Sequence, residues 1–164
     1  MTVHIRPFHH EDLDAIGSLS LLAWEPVFAA WEQILGPELY PLAIFSDWRK
    51  SQIEAVEKAC LDETMTTWVA EVEHNVAGFL VLALNDTDKV GEVYMLAVHP
   101  AYQNRGIGTE LNLMALRKMT EAGMKLAVVG TGGDDGHAPA RRAYEKVGYT
   151  GLPAVRYYKA LQAD

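Results

Sequence analysis

The stretch "VHPAYQNRGIGTEL", residues 98 to 111, carries the densest chemical signal in the chain. An apolar run ends at Val98, a Pro turn follows, and Gly106 and Gly108 then open a helical pattern. A helical glycine costs about 1 kcal/mol relative to alanine, so two of them two residues apart need a reason. The first turn of a helix has unpaired backbone N–H groups and the positive end of the helix dipole, and together these bind anions. Bare glycines let a phosphate oxygen reach that backbone, and Arg105 adds a cationic, forked donor. A sharp strand-to-helix turn that binds nothing would use the same glycines. Without G-K-[ST] the turn is not a triphosphate P-loop. "GTGGDDG", residues 130–136, has the glycines of a dinucleotide turn. That fingerprint needs an acidic residue on a strand about 20 residues later; "GYTGLP" stands there instead, and Asp134 and Asp135 would repel a pyrophosphate. It reads as a turn.

The elements that position this turn follow from periodicity. "VHIRP" reads as a short strand, and Asp12 as the cap of a helix through "LDAIGSLSLLAW". Residues 25 to 66, rich in aromatics and carrying Pro26, Pro37 and Pro41, read as short helices and connections. Among them "WRKSQIEAVEKAC" places Ile53, Val56, Ala59 and Cys60 at helical spacing. "TWVAEVE" and "VAGFLVLAL" form a hairpin about His74 and Asn75, and "NDTDK" turns into a third strand, "VGEVYMLAVH". Gly106 to Ala122 is helical, with Ile107, Leu111, Ala115, Met119 and Ala122 in one stripe and Gly123 after its end. "KLAVVG" completes a βαβ crossover, so it lies parallel to the "YMLAV" strand. A helix over "APARRAYEKV" and a closing strand "VRYYKAL" finish the chain.

Bulk properties narrow the classes. The 164 residues suit one domain, 1–164, with an ordinary globular mix of 49% hydrophobic and 22% charged residues. Fourteen Lys and Arg against 22 Asp and Glu give a net charge of -8, which argues against nucleic acid as a partner. Cys60 is the only cysteine, excluding an intrachain disulfide and a cysteine-only zinc site. No signal peptide and no unbroken apolar run of membrane-spanning length is visible, so a cytoplasmic protein that needs no membrane is expected. "HHED", residues 9 to 12, is explained by a turn and helix cap, and no metal is expected.

"LAVHPAYQNRGIG" resembles the acyl-CoA-binding motif of the GNAT superfamily of N-acetyltransferases, Q/R-x-x-G-x-G/A after a strand ending in V-x-P. Gln103, Asn104, Arg105, Gly106, Ile107 and Gly108 fill it, and Thr109 follows. "HAPARRAYEKVGY" is similar to the family's later block, with Ala140, Tyr144, Glu145, Lys146, Gly148 and Tyr149 in register and His137 where the family carries Asn. "IRPFHHEDLDAI" is similar to the family's usual start. The resemblance implies an α/β (α+β) GNAT fold: a mixed sheet of six to seven strands, helices on both faces, and a splayed parallel strand pair holding the cofactor. It further implies that Leu96, Ala97 and Val98 pair with the pantetheine of acetyl-CoA, and that His137 can donate it a hydrogen bond. The aromatics from Trp24 to Trp48 fall where the family builds its acceptor wall.

Amide formation from a thioester needs an amine freed of its proton, a donor for the developing oxyanion, and a proton for the departing thiolate. Tyr144, at the family's tyrosine position, is the candidate acid; packing against pantetheine is the simpler role. Glu92 is the candidate base, because period-2 alternation places it on one face with Tyr94, Leu96 and Val98. A solvated carboxylate at a strand start, with a water chain as base, competes with it. Arg141 and Arg142 either reach phosphates or lie on a solvated helix face. The expected reaction is direct attack by a small-molecule or peptide amine on acetyl-CoA. A GNAT-fold module that binds acyl-CoA without turnover is the alternative, and a nucleotide-dependent oxidoreductase a distant third. Exposed sheet edges make a homodimer possible.

Thermal unfolding separates these classes. Acetyl-CoA or CoA at 100 times its dissociation constant adds about 2.7 kcal/mol, a rise of a few degrees, whereas NAD adds nothing. No shift with any of them at millimolar concentration would leave the glycine turn as a turn only.

Overall fold

The computed structural model describes residues 2–44 and 47–162. Strand β1 (His4–Pro7) ends at Pro7, and the chain is fixed there by charge. Arg6 donates to both carboxylate oxygens of Asp12, each at 2.8 Å, and its Nε donates to Glu71 at 2.9 Å. Asp12 Oδ2 also accepts the backbone N–H of His9 at 2.8 Å, closing the 3-10 turn His10–Asp12. The "HHED" turn is thus an ion-paired entry into the first helix.

Helix α1 spans Leu13–Ala43, longer than the expected helix to Trp24 followed by short pieces. It continues through Pro26, where the missing N–H leaves the Leu22 carbonyl without its helical partner. The interruption comes instead at Gly36, whose φ of 70° is left-handed, with Pro37 restarting the helix. By length and apolarity His10–Ala43 would suffice to cross a bilayer, though no single apolar run in it does. Here Ile16, Leu19 and Val27 are buried within the domain. Helix α2 (Trp48–Leu61) buries Val56, Ala59 and Cys60, and Asp47 caps it by accepting the N–H of Lys50.

Strands β2 (Met65–Val72), β3 (Asn75–Asn85) and β4 (Val90–Val98) form the expected antiparallel meander. The hairpin turn lies one residue earlier than expected, on Glu73 and His74, both with positive φ. Helix α3 (Ile107–Glu121) crosses over to β5 (Leu126–Val129), which pairs parallel with β4. Ile107, Leu111, Ala115 and Met119 pack on one face of the sheet, against Leu80, Leu82 and Val93. Ala122 falls outside that stripe, because the helix has ended and Ala122 is exposed. On the other face α1 and α2 bring Ile16, Leu19 and Val56 against Val69, Phe79 and Val81. A 3-10 turn (Asp135–His137) leads into α4 (Ala138–Lys146).

The architecture is the expected α/β arrangement of a mixed sheet between helices, but the sheet has five described strands in the order β1-β2-β3-β4-β5, not six to seven. The expected closing strand "VRYYKAL" forms none: Val155, Tyr157 and Leu161 are exposed, and no ladder pairs them with β5. Its β-prone composition is a local signal, whereas a strand exists only where an edge receives it.

Asp12→Ala should lower stability by about 2 kcal/mol in urea unfolding, since it strips Arg6 of its bidentate partner in a partly buried site. The carboxyl of Asp12 is held below its ordinary range, chiefly by the Arg6 hydrogen bonds, against the upward push of burial. Its stabilisation is therefore complete above the unfolded carboxylate range and is lost as pH falls through the lower, folded value; Asp12→Ala should flatten that acid limb.

Candidate active site

A cavity of about 800 Å³ opens where β4 and β5 stop pairing. The last parallel pair is Val93 with Val129, and β4 then continues to Val98 without β5 beside it. The cavity lies along Val93–Val98, beneath the start of α3, with Ala23–Val27 of α1 opposite and the β5–α4 loop closing one side.

Most residues picked out in the sequence converge on its wall. Leu96, Ala97, Val98, Gln103, Asn104, Gly106, Ile107, Gly108, Thr109, His137, Ala140 and Tyr144 all line it. Arg105 does not; its guanidinium stands 5.9 Å from the centre of the Tyr102 ring. Glu92 also lies outside the wall, exposed to solvent. The reason is a shift of register: Val81 pairs with Met95 but Leu82 pairs with Val93, so Tyr94 is an extra residue on β4. Alternation reverses there. Leu96 and Val98 pack toward α3, as Val93 does, while Glu92 points to the opposite face, the one carrying Met95 and Ala97. Glu92 therefore does not share a face with Leu96 and Val98.

The glycine turn is tied to the sheet by Gln103, whose Nε2 donates to the Val98 carbonyl at 3.0 Å. Asn104 and Gly106 both have positive φ, 60° and 88°, and Gly106 is the N-cap of α3. A Cβ on Gly106 would meet no protein atom within 4 Å, and one on Gly108 would make only ordinary contact with Val98 at 3.6 Å. Neither glycine is bare because neighbouring side chains crowd it. Gly106 is favoured as glycine by its left-handed φ, and at both positions a side chain would project into the open space at the first turn of α3.

Tyr144 is buried, with its ring edge-on to Tyr149 at 5.9 Å. Burial, helped by Tyr149, pushes its hydroxyl up to about 12, so it keeps its proton at neutral pH.

The "GTGGDDG" loop is a turn, but its aspartate is not idle. Asp134 Oδ2 accepts from Trp31 Nε1 at 3.1 Å and faces His137 Nδ1 at 2.6 Å, and Oδ1 accepts the backbone N–H of His137 at 3.2 Å. Burial would raise this carboxyl, but the bonds from His137 and Trp31 outweigh it and hold it low. Arg141 donates to the carbonyls of Gly132 and Asp134, so it supports the loop, and Arg142 lines the cavity. Trp31 belongs to the aromatic stretch expected at the acceptor wall, but Asp134, read in the sequence by its charge alone, is not marked there as a site residue. The D-x-x-H spacing was the one available signal, since it is the spacing of a helix cap. Of the aromatic stretch, Trp24 lines the cavity, while Phe28 stacks on Trp48 at 4.2 Å and meets Trp31 edge-on at 5.3 Å. Phe45 lies outside the described residues.

The family model for the acetyltransferase (GNAT) family matches residues 26–149. A mycothiol acetyltransferase of Thermomonospora curvata is 26% identical over 121 residues, covering 74% of this chain and 40% of that protein. The chain thus spans well under half the length of such curated relatives. Among solved structures, an acetyltransferase of the GNAT family from Staphylococcus aureus Mu50 superposes with a TM-score of 0.68 at 18% identity, over 93% of this chain and 87% of that one. The paia N-acetyltransferase from Thermoplasma acidophilum, in complex with coenzyme A, superposes with a TM-score of 0.64 at 18% identity, over 89% of both chains. With its glycine turn and later tyrosine block on one cavity, this chain belongs to the GNAT family of acetyltransferases.

Proposed function

We propose that this chain moves an acetyl group from acetyl-CoA to a primary amine, either a small molecule or an exposed amino group, by direct attack. The observation that carries the reading is the glycine turn of Gly106 and Gly108, open at the first turn of α3, on the same cavity as the buried, protonated Tyr144. Acetyl-CoA supplies an activated acyl group on sulfur. The N–H groups of the α3 first turn hold its pyrophosphate, and the main chain of Leu96–Val98, unpaired on the β5 side, receives the pantetheine as an added strand. The extra residue at Tyr94 takes backbone groups out of the ladder, where a free N–H can face a developing oxyanion. Tyr144 gives its proton to the departing sulfur.

Direct attack is favoured because no thiol lines the cavity. Cys60 is buried in the α2 core and burial pushes its thiol up, so it carries no acyl group between substrates. Amine acceptors agree with the acidic net charge of -8 and with relatives named mycothiol acetyltransferase.

Two variants test the assignment. Gly106→Val should keep the fold by circular dichroism, at a cost of about 1–2 kcal/mol for a branched residue at positive φ, and should weaken CoA binding at least tenfold. Unchanged affinity would remove the pyrophosphate from this turn. Tyr144→Phe should bind CoA within twofold of wild type and lose roughly 100-fold in kcat with any amine that turns over. Because the hydroxyl ionises only near pH 12, no basic limb between pH 6 and 9 should belong to Tyr144. Normal CoA binding with no acetyl transfer to a broad amine panel would instead favour a binding module.

A further inference from the structure

The β5–α4 loop carries a chemical arrangement that the glycine turn and Tyr144 do not use. His137 lines the cavity, yet its Nδ1 is engaged from behind by the Asp134 carboxylate, whose side chain is only 7% exposed. Trp31 and the His137 backbone N–H fill further acceptor positions on that carboxylate, so it stays an anion. An anion beside Nδ1 accepts the ring proton there, which leaves the lone pair of neutral imidazole on Nε2. Among the described residues no protein group hydrogen-bonds Nε2.

The loop is shaped around this pair. A Cβ on Gly132 would overlap both Asp134 Oδ2 and His137 Nδ1. One on Gly136 would come within 2.7 Å of the Pro26 carbonyl and the Val27 Cα, so the loop sits directly on α1. Arg141 clamps the carbonyls of Gly132 and Asp134 from the α4 side. His137 stands seven residues before Tyr144, two helical turns or about 10 Å along the same face, and both side chains line the cavity. In this tautomer the neutral ring cannot donate a hydrogen bond to pantetheine through Nε2. It can accept a proton there.

We propose that His137 is the base of the reaction, with Asp134 as the residue that positions and holds its tautomer; the inference rests on the acetyl transfer proposed above. The acceptor's ammonium gives one proton to Nε2. Its nitrogen then forms the C–N bond to the acetyl carbon as the C–S bond breaks, a second nitrogen proton passes to sulfur by way of Tyr144, and His137 returns its own to water. Among the described residues Asp134 contacts His137, Asp135, Arg142, Tyr144 and Lys146 share its cavity wall, Arg141 holds the loop's carbonyls, and α1 presents the Trp31 indole. Protonated His137 is no base, so kcat/KM falls as pH drops.

Three measurements on the full chain decide it: kcat/KM against pH with n-butylamine and lysine methyl ester, CoA affinity by titration calorimetry, and the His137 tautomer by nitrogen-15 NMR of the wild type. The expected results are an Nδ1–H tautomer and a His137→Gln variant at least 100-fold down in kcat/KM, without the acid limb, binding CoA within threefold of wild type. Asp134→Asn should lose about tenfold and no longer hold the Nδ1–H tautomer, and Glu92→Gln should lose less than His137→Gln. An Nε2–H tautomer in the wild type overturns the proposal and needs no variant to fold. So does a His137→Gln that keeps turnover, or one that loses CoA affinity tenfold with its pH profile unchanged, which would make His137 a cofactor contact. A wild type that neither binds CoA nor acetylates either amine sinks the acetyl-transfer reading itself.

Discussion

The structure turns on β4 outrunning its parallel partner. Beyond the Val93–Val129 pair, the main chain of Met95–Val98 has ladder bonds to β3 on one side and none to β5 on the other. Buried backbone polar groups need partners, so a strand that loses its neighbour inside a sheet creates a demand that only another extended group or water can meet. The cavity is the space that demand occupies. The α3 turn at one end and the β5–α4 loop at the other are fitted around it, and the antiparallel β2–β3–β4 meander gives β4 a rigid back.

Each wall is held by a different kind of force. The glycine turn is held by side-chain bonds from Gln103 to the Val98 carbonyl and from the buried Asn112 to the Gly108 carbonyl, together with the burial of Ile107 and Leu111 beneath it. The opposite loop depends on close backbone approach to α1 and on one buried carboxylate that joins Trp31, His137 and the loop. Helix α1 itself is oriented by the Arg6–Asp12–Glu71 cluster at its start. A change at residue 6 or 12 can therefore reach the cavity through the helix that forms one of its walls.

Much of this was legible in the sequence, and the misses share a cause. The α3 stripe and its glycine opening, the meander and the crossover all repeat a period over several residues, which is what a local pattern can carry. A one-residue insertion has no period. The extra residue at Tyr94 leaves no mark in "VGEVYMLAV", yet it reverses the faces beyond it and separates Glu92 from Leu96 and Val98. The prolines of α1 suggested breaks, but packing of Ile16 and Leu19 on the sheet and burial of Val27 carried the helix past Pro26 to Gly36. "VRYYKAL" has strand composition and no ladder, because pairing is decided by which edge is within reach. Asp134 was read by its charge alone, when its partners lie 103 residues away in Trp31 and three residues on in His137.

The segment after α4 gives the molecule a colloidal character distinct from its chemistry. Leu152, Val155, Tyr157 and Leu161 face solvent, and Leu126 and Val128 are exposed on β5, the sheet's short edge strand. Apolar side chains beside an unpaired strand edge invite chains to associate. At neutral pH the surplus of 22 acidic over 14 basic residues opposes that association by repulsion. That repulsion fades toward the isoelectric point near 5.2, so mildly acidic buffers remove the charge barrier while the apolar arm stays in place.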